Sequence, residues 1–180
     1  MKLLPAAIVF AGATVAPAMG GAVIDQLQDD ASVYMAAFSQ GDLAQSFQQS
    51  TNAISGAGIF LQPDIGSTDF VTITLYDSLG GSALASGTAE GTAGSWVDVF
   101  WSSVSIAADT EYFLVFTSAS DTLGISGSVE NPYDRGQVFA NPGFSSFPDF
   151  DYTFRTYGVP APASVAMLGL GGLVASRRRR

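Results

Sequence analysis

Hydrophobic and polar side chains alternate with a period of two along much of the chain between residues 23 and 158, and no segment there keeps a helical apolar period over three turns. The clearest alternating runs are residues 71–76, 96–101, 112–116 and 152–157. Successive side chains of a β-strand point to opposite faces, so this pattern predicts strands with one buried face. Turn-forming residues separate the runs, at 63–66, 77–81, 91–94, 107–109 and 141–143.

Weaker strands are predicted at residues 32–38, 44–48, 54–62, 83–89, 123–129 and 136–140, which makes about ten short strands in all. Strands of this number and spacing favour an all-β fold in which two antiparallel sheets pack face to face as a β-sandwich. The residues predicted to form its core are Phe47, Ile59, Leu61, Val71, Ile73, Leu75, Val97, Val99, Leu114, Phe116 and Phe154.

Charge divides the chain into three parts. It has 16 acidic and seven basic residues, a net charge of −9, and neither His nor Cys. The lack of His and Cys excludes thiol nucleophiles, Ser-His-Asp triads and ordinary zinc sites, and the acidic balance argues against nucleic-acid binding. All 16 acidic residues but only two basic ones lie within 23–158, so this middle part carries −14 between two apolar, basic ends. We therefore predict separate segments at 1–22, 23–158 and 159–180.

The first segment has the three-part pattern of a secretory signal peptide. Lys2 precedes the uncharged apolar run 3–15, and small residues follow, including Ala16 and Ala18. Small residues at the −3 and −1 positions favour cleavage by signal peptidase after Ala18, with Gly20 and Ala22 as alternatives. The other interpretations are a retained membrane anchor or a buried helix. The run is short for a membrane span, which takes roughly 20 residues.

The last segment combines a short proline motif, an apolar run predicted to be helical at 165–176, and a basic cluster. The motif is formed by Val159, Pro160, Ala161, Pro162 and Ala163, and the cluster by Arg177, Arg178, Arg179 and Arg180. The apolar run is shorter than the roughly 20 residues of a comfortable span, and an Arg cluster tends to stay on the cytoplasmic side. Membrane transit is therefore expected to stall with the acidic middle part outside.

Residues 159–180 resemble the PEP-CTERM sorting signal of bacterial exported proteins. The resemblance implies that the apolar segment holds the precursor transiently in the inner membrane and that an exosortase-type enzyme cuts near the proline motif. The protein would then reach the cell surface, extracellular matrix or biofilm. Ala161 stands where the usual pattern has Glu. The alternative is a simple C-terminal anchor that is never cut.

A second resemblance covers most of the middle part. Its residues are 44–47, the apolar strand near Ile59, and 71–77, 96–99, 104–112 and 154–158. They resemble jelly-roll domains of secreted bacterial surface proteins, which are similar to non-catalytic carbohydrate-binding modules. The resemblance implies a jelly-roll-like antiparallel β-sandwich, flanked here by the signal helix and the short C-terminal hydrophobic helix. We therefore expect an exported, non-catalytic surface or matrix protein. The alternative is a module that binds a surface or environmental glycan, such as an exopolysaccharide.

Aromatic residues are the candidates for glycan contacts, because their flat faces can stack on sugar rings. The candidates are Trp96, Tyr133, Phe144 and Phe147. The alternative for the segment 142–150 is that Phe144, Phe147 and Phe150 fold back and close one end of the sandwich. Trp96 and Trp101 have opposite strand parity, so a regular strand directs at most one of them to the core.

Carboxylates supply the remaining candidates. The weak candidates for binding a structural calcium ion are acidic residues near predicted loops: Asp149 and Asp151, with Asp64, Asp69 and Asp134. The alternative is that these residues form a solvated acidic surface. No other cofactor is expected. The acidic side chains of the segment 149–151 and the two arginines of the middle part, Arg135 and Arg155, predict an ion pair within the domain. An enzyme would depend on Glu90, Glu111 and Glu130 or on Ser126, none of which has a recognisable catalytic setting, so we predict no catalysis.

Overall fold

The computed structural model describes residues 21–159, and all regular structure in this range is β except a 3-10 turn at Phe38–Gln40. Within it, no helix has the length and hydrophobicity needed to cross a membrane. The predicted cleavage residues Ala16 and Ala18, the proline motif beyond Val159 and the Arg cluster all lie outside the described residues.

The strands form three antiparallel sheets. In chain order the strands are β1 Val23–Gln28, β2 Val33–Ala37, β3 Leu43–Gln48, β4 Ala53–Phe60, β5 Thr68–Tyr76, β6 Ala83–Thr92, β7 Trp96–Ser105, β8 Glu111–Ser118, β9 Gly124–Ser128, β10 Val138–Ala140, β11 Ser145–Phe147, β12 Asp151–Tyr152 and β13 Phe154–Gly158. The sheet orders are β11-β10-β3-β8-β5-β6, β1-β13-β4-β7 and β12-β9-β2. The predicted all-β, sandwich-like architecture is confirmed. The structure adds β1 and β11 to the predicted strands and divides the predicted strand 152–157 in two.

The buried faces of the sheets share one hydrophobic core. All of the predicted core residues are buried, and none exposes more than 2% of its surface. Strand β5 shows why the prediction succeeds: Val71, Ile73 and Leu75 point inward, whereas Thr72 and Thr74 bond outward to hydroxyls of β6 at 2.7 and 2.9 Å. The period of two in the sequence of β5 therefore corresponds to side chains that alternate between the core and the outer face.

Strand β1 was not predicted, because it reverses the expected pattern. Its apolar residues Val23, Ile24 and Leu27 are nearly half exposed, and its buried residues are Gln26 and Gln28. Hydrogen bonds satisfy both amides: the Gln26 Oε1 accepts from the Tyr133 hydroxyl at 3.0 Å, and the Gln28 Nε2 donates to a carbonyl of β12 at 3.2 Å. Such partners, more than 100 residues away, cannot be read from local periodicity.

The two ends of the described chain lie side by side. Strand β1 is at the edge of the four-stranded sheet and pairs antiparallel with β13, so that Val23 faces Gly158. Val23 and Gly158 therefore lie at the same end of two neighbouring strands.

Candidate functional site

A groove of about 310 Å³ lies between the three-stranded sheet and the β10–β11 hairpin. The residues important for its chemistry are Tyr34, Gln40, Asn141, Phe147, Phe150 and Tyr152. Strands β2 and β12 contribute the two tyrosines, and the hairpin region contributes the two phenylalanines. Its volume is at the lower end of the range for small-molecule sites, and none of the described residues lining it carries a charge.

The hairpin forms the aromatic side of the groove. Residues Val138 and Phe147 pair across it, and the turn between the strands contains three residues with positive φ, Asn141, Gly143 and Phe144. The Phe150 amide then donates to the Phe147 carbonyl at 3.2 Å, which closes a second turn. This turn brings the Phe147 and Phe150 rings within 4° of parallel, with centroids 5.9 Å apart.

Both rings also pack against the core, which agrees with the expectation that they fold back on the sandwich. Phe144 lies at the hairpin turn, where it is half-buried and does not line the groove. Of the two phenylalanines proposed for glycan stacking, the structure therefore places only Phe147 in the groove.

Two tyrosine hydroxyls supply the polar part of the groove. Tyr152 is only 1% exposed, and its backbone bonds to Gln28 and Gln45 hold it in place. Its hydroxyl has no hydrogen-bond partner among residues 21–159, and neither does the hydroxyl of Tyr34, which is 48% exposed. Burial, with a smaller effect of nearby Tyr34, raises the pKa of Tyr152, so the hydroxyl stays protonated at neutral pH and can both donate and accept.

The amide side chains add further hydrogen-bonding capacity. The Gln40 Oε1 accepts from the Ala37 amide at 2.9 Å, which orients the side chain, while its Nε2 makes no hydrogen bond within the described range. Asn141 likewise lines the groove without a side-chain partner in residues 21–159. The groove thus combines aromatic rings with neutral donors and acceptors, a set that suits the binding of an uncharged polar molecule.

A second aromatic surface, the outer face of the four-stranded sheet, contains Trp96. Here the Arg155 Nε donates to the Asp98 Oδ1 at 2.7 Å, a second guanidinium nitrogen bonds to the Oδ2, and the Tyr157 hydroxyl donates to the Oδ1 at 2.9 Å. The Arg155 guanidinium lies 4.1 Å from the centroid of the Trp96 ring, and Phe60 meets that ring edge-on at 5.6 Å. One face of Trp96 is therefore already occupied by the protein itself.

Glycines in β4 make this outer face possible. A Cβ at Gly58 would collide with the Asp98 carboxylate, and one at Gly56 would lie 2.7 Å from Phe100 Cδ1. Because Gly56 and Gly58 have no Cβ, side chains of β7 can lie across β4 and reach β13. There the Phe100 ring contacts the Tyr157 ring, with centroids 4.9 Å apart.

Tyr133 corrects one prediction. Its ring is 8% exposed and packs edge-on against Phe154 at 5.0 Å, and its hydroxyl donates to Gln26. A ring held in the core offers no face to a sugar, so Tyr133 is not a stacking platform.

The two tryptophans of β7 lie on opposite faces of the strand, as strand parity predicted. Trp101 lies on the same face as Val97 and Val99 and packs on the core, whereas Trp96 points outward. Among the described residues the Trp101 Nε1 is buried without a hydrogen-bond partner.

The two weak calcium candidates do not come together. Asp151 is fully buried and accepts hydrogen bonds from the Gln45 Nε2 and the Tyr133 amide, both at 2.9 Å, whereas Asp149 is exposed. Burial raises the pKa of Asp151 in spite of these donors. N–H groups around a carboxylate occupy the positions that a cation would take, and residues 21–159 contain no group of three or more acids that could hold a metal.

The expected ion pair of residues 149–151 is wrong. Arg155 pairs with Asp98, and Arg135 pairs with Asp109, so both arginines find acids far from the predicted segment.

The groove residues Tyr34 and Tyr152 were not among the predicted site residues, since each reads as an ordinary strand residue. Only the fold shows that both line the same groove. Comparisons of the chain with models of known protein families and with curated proteins find no match.

Proposed function

We propose that this chain is an exported, non-catalytic protein of the cell surface or extracellular matrix, sorted through its C-terminal segment, with a jelly-roll-like domain. The observation that carries the proposal is the pairing of Val23 with Gly158. These two residues border the predicted signal peptide and the predicted sorting signal, and they lie at the same end of two neighbouring strands. A domain arranged in this way can stay on the outer side of a membrane while its C-terminal segment remains inserted.

Charge supports the same arrangement. Residues 23–158 carry −14, whereas the C-terminal cluster of four arginines carries the opposite sign. Such a cluster tends to remain on the cytoplasmic side, while the acidic domain stays soluble outside and repels polyanions such as nucleic acids. Signal peptidase and an exosortase-type enzyme are the partners that this route requires, with the inner membrane as a transient location.

The residues considered for catalysis support a non-catalytic role. Glu90, Glu111 and Glu130 are exposed on different parts of the surface. Ser126 is fully buried in β9, and its hydroxyl donates to the Gln62 Oε1 at 2.8 Å, so it is not presented as a nucleophile.

The intact mass of the protein recovered from its native host tests the proposal. We expect the loss of about 18–22 N-terminal residues and a C-terminus near Pro162. Replacing Pro160 and Pro162 by Ala should leave the C-terminal segment uncut, whereas Pro148→Ala, an exposed proline within the domain, should not change processing. A mass that still includes Arg180 would contradict the processing step and make the segment a permanent anchor. A mass that still includes Met1 would contradict the cleaved signal peptide.

A second candidate function is carbohydrate binding by the same domain. The observation that favours it is the uncharged groove lined by Tyr34, Phe147, Phe150 and Tyr152, which joins aromatic surface to hydroxyls without partners in the described chain.

A further inference from the structure

Three other tyrosine hydroxyls in this domain have protein partners. The hydroxyl of Tyr133 donates to Gln26 at 3.0 Å, that of Tyr157 donates to Asp98 at 2.9 Å, and that of Tyr112 accepts from the Ala107 amide at 3.0 Å. Tyr152 is more deeply buried than any of these three, yet its hydroxyl has no partner within residues 21–159.

The Tyr152 hydroxyl is not an orphaned buried atom, since among residues 21–159 only the Trp101 Nε1 is a buried side-chain polar atom without a partner. Tyr152 lines the groove beside Tyr34. A hydroxyl that is open to the groove and not bonded within the described chain can both donate to and accept from a molecule that binds there.

We propose that this groove binds one neutral pyranose ring of a glycan, an inference that rests on the second candidate function. The rings of Tyr34, Phe147 and Phe150 supply apolar surface for the C–H face of the sugar, and the hydroxyls of Tyr152 and Tyr34 with the amides of Gln40 and Asn141 bond to its hydroxyl groups.

Charge and size select this ligand class. The groove has no Lys, Arg, Asp or Glu in its described lining, and the domain around it carries −14, so an anionic polysaccharide would be repelled without compensation. The volume of about 310 Å³ fits a unit of small-molecule size and not a folded partner. On the outer face, by contrast, Arg155 already covers a face of Trp96.

Isothermal titration calorimetry on the purified full chain tests the proposal, with maltohexaose, cellohexaose and a mannan oligosaccharide as neutral probes and polygalacturonate as the acidic probe. We expect at least one neutral probe to bind. Tyr152→Phe, which removes only the hydroxyl, should weaken binding by about fivefold to tenfold. Tyr34→Ala should weaken it further, because it removes a ring and a hydroxyl. Phe100→Ala is the matched control: Phe100 is 58% exposed but lies on the outer face, so binding should not change.

Thermal unfolding of each variant separates a loss of ligand contacts from a loss of fold, and the exposed position of Tyr34 makes its truncation safe for the core. Binding that survives both Tyr152→Phe and Tyr34→Ala, or that is lost in Phe100→Ala, would overturn the groove as the site while leaving carbohydrate binding intact. Binding of polygalacturonate alone would overturn the neutral ligand. Absence of binding to every probe would overturn the groove and the carbohydrate candidate together, and the intact-mass experiment would be unaffected.

Discussion

The groove and the outer face of the four-stranded sheet both combine aromatic rings with hydrogen-bonding groups, but the groups of the two surfaces find different partners. On the outer face, Asp98, Arg155 and Tyr157 bond to one another, and Arg155 covers Trp96. In the groove, the hydroxyls of Tyr34 and Tyr152 have no partner among the residues that the structure describes. The comparison teaches that an aromatic cluster on a sheet is not by itself a binding surface: a surface that has satisfied its own polar groups has little left to offer a ligand.

The side chains of the outer face can bond to one another because glycines in its backbone leave room for them to meet. Gly56 and Gly58 leave room for Phe100 and Asp98 to cross β4, so that three strands share one cluster of side chains. The groove has no such bridge, because its two sides come from the three-stranded sheet and from the hairpin at the end of the six-stranded sheet. A gap between separate sheets leaves polar groups without partners, whereas a continuous sheet brings partners within reach.

Among the tests of this comparison, Gly56→Ala on the outer face is expected to have the largest effect on stability. The new Cβ would lie 2.6 Å from the Val99 carbonyl oxygen and 2.7 Å from Phe100 Cδ1, and the carbonyl belongs to a paired strand that cannot move freely. We expect the free energy of unfolding to fall by about 2 kcal/mol, typical of overpacking. Urea denaturation measures it, with Ser146→Ala, an exposed change in β11, expected to stay within about 0.5 kcal/mol of the original. An unchanged midpoint for Gly56→Ala would show that the outer face does not depend on its glycines.

The sequence predicted the parts of the fold that depend on local alternation, such as β5, in which every second residue is buried. It did not predict features that depend on distant partners. Arg155 pairs with Asp98, 57 positions away, and not with the nearby Asp151, because the register of β13, β4 and β7 aligns them across the sheet. The same limit applies to the candidate site: Tyr133 and Tyr152 look alike in sequence, and only the fold supplies Gln26 to one and an open groove to the other.

A matched pair of substitutions compares the two surfaces by removing one tyrosine hydroxyl from each. Tyr157→Phe removes a hydroxyl that donates to Asp98 at 2.9 Å, so we expect a loss of about 1 kcal/mol in the free energy of unfolding. Tyr152→Phe removes a hydroxyl without a partner in the described chain, so we expect a change within about 0.5 kcal/mol. Both variants keep the ring, and urea denaturation at neutral pH without glycan compares them. Equal losses would contradict the distinction between the two surfaces.

Alkaline pH gives the smallest and most specific test of the comparison. Burial, and next the hydrogen bond to Asp98, raises the pKa of Tyr157 from 10.0 to about 12. Since the pKa in the folded state exceeds the pKa in the unfolded state, the stabilising effect of this group is complete below pH 10 and is lost as the pH rises toward about 12. The advantage of the original protein over Tyr157→Phe should therefore shrink across this interval. Burial also raises the pKa of Tyr152, but that tyrosine gives no advantage at neutral pH, so Tyr152→Phe should become the more stable protein as the pH rises. Unfolding midpoints at a series of alkaline pH values, with phenolate absorbance to follow ionisation, measure both trends. A pH-independent difference between the original protein and Tyr157→Phe would mean that this hydroxyl has the same pKa in the folded and unfolded states, so that neither burial nor the bond to Asp98 raises it.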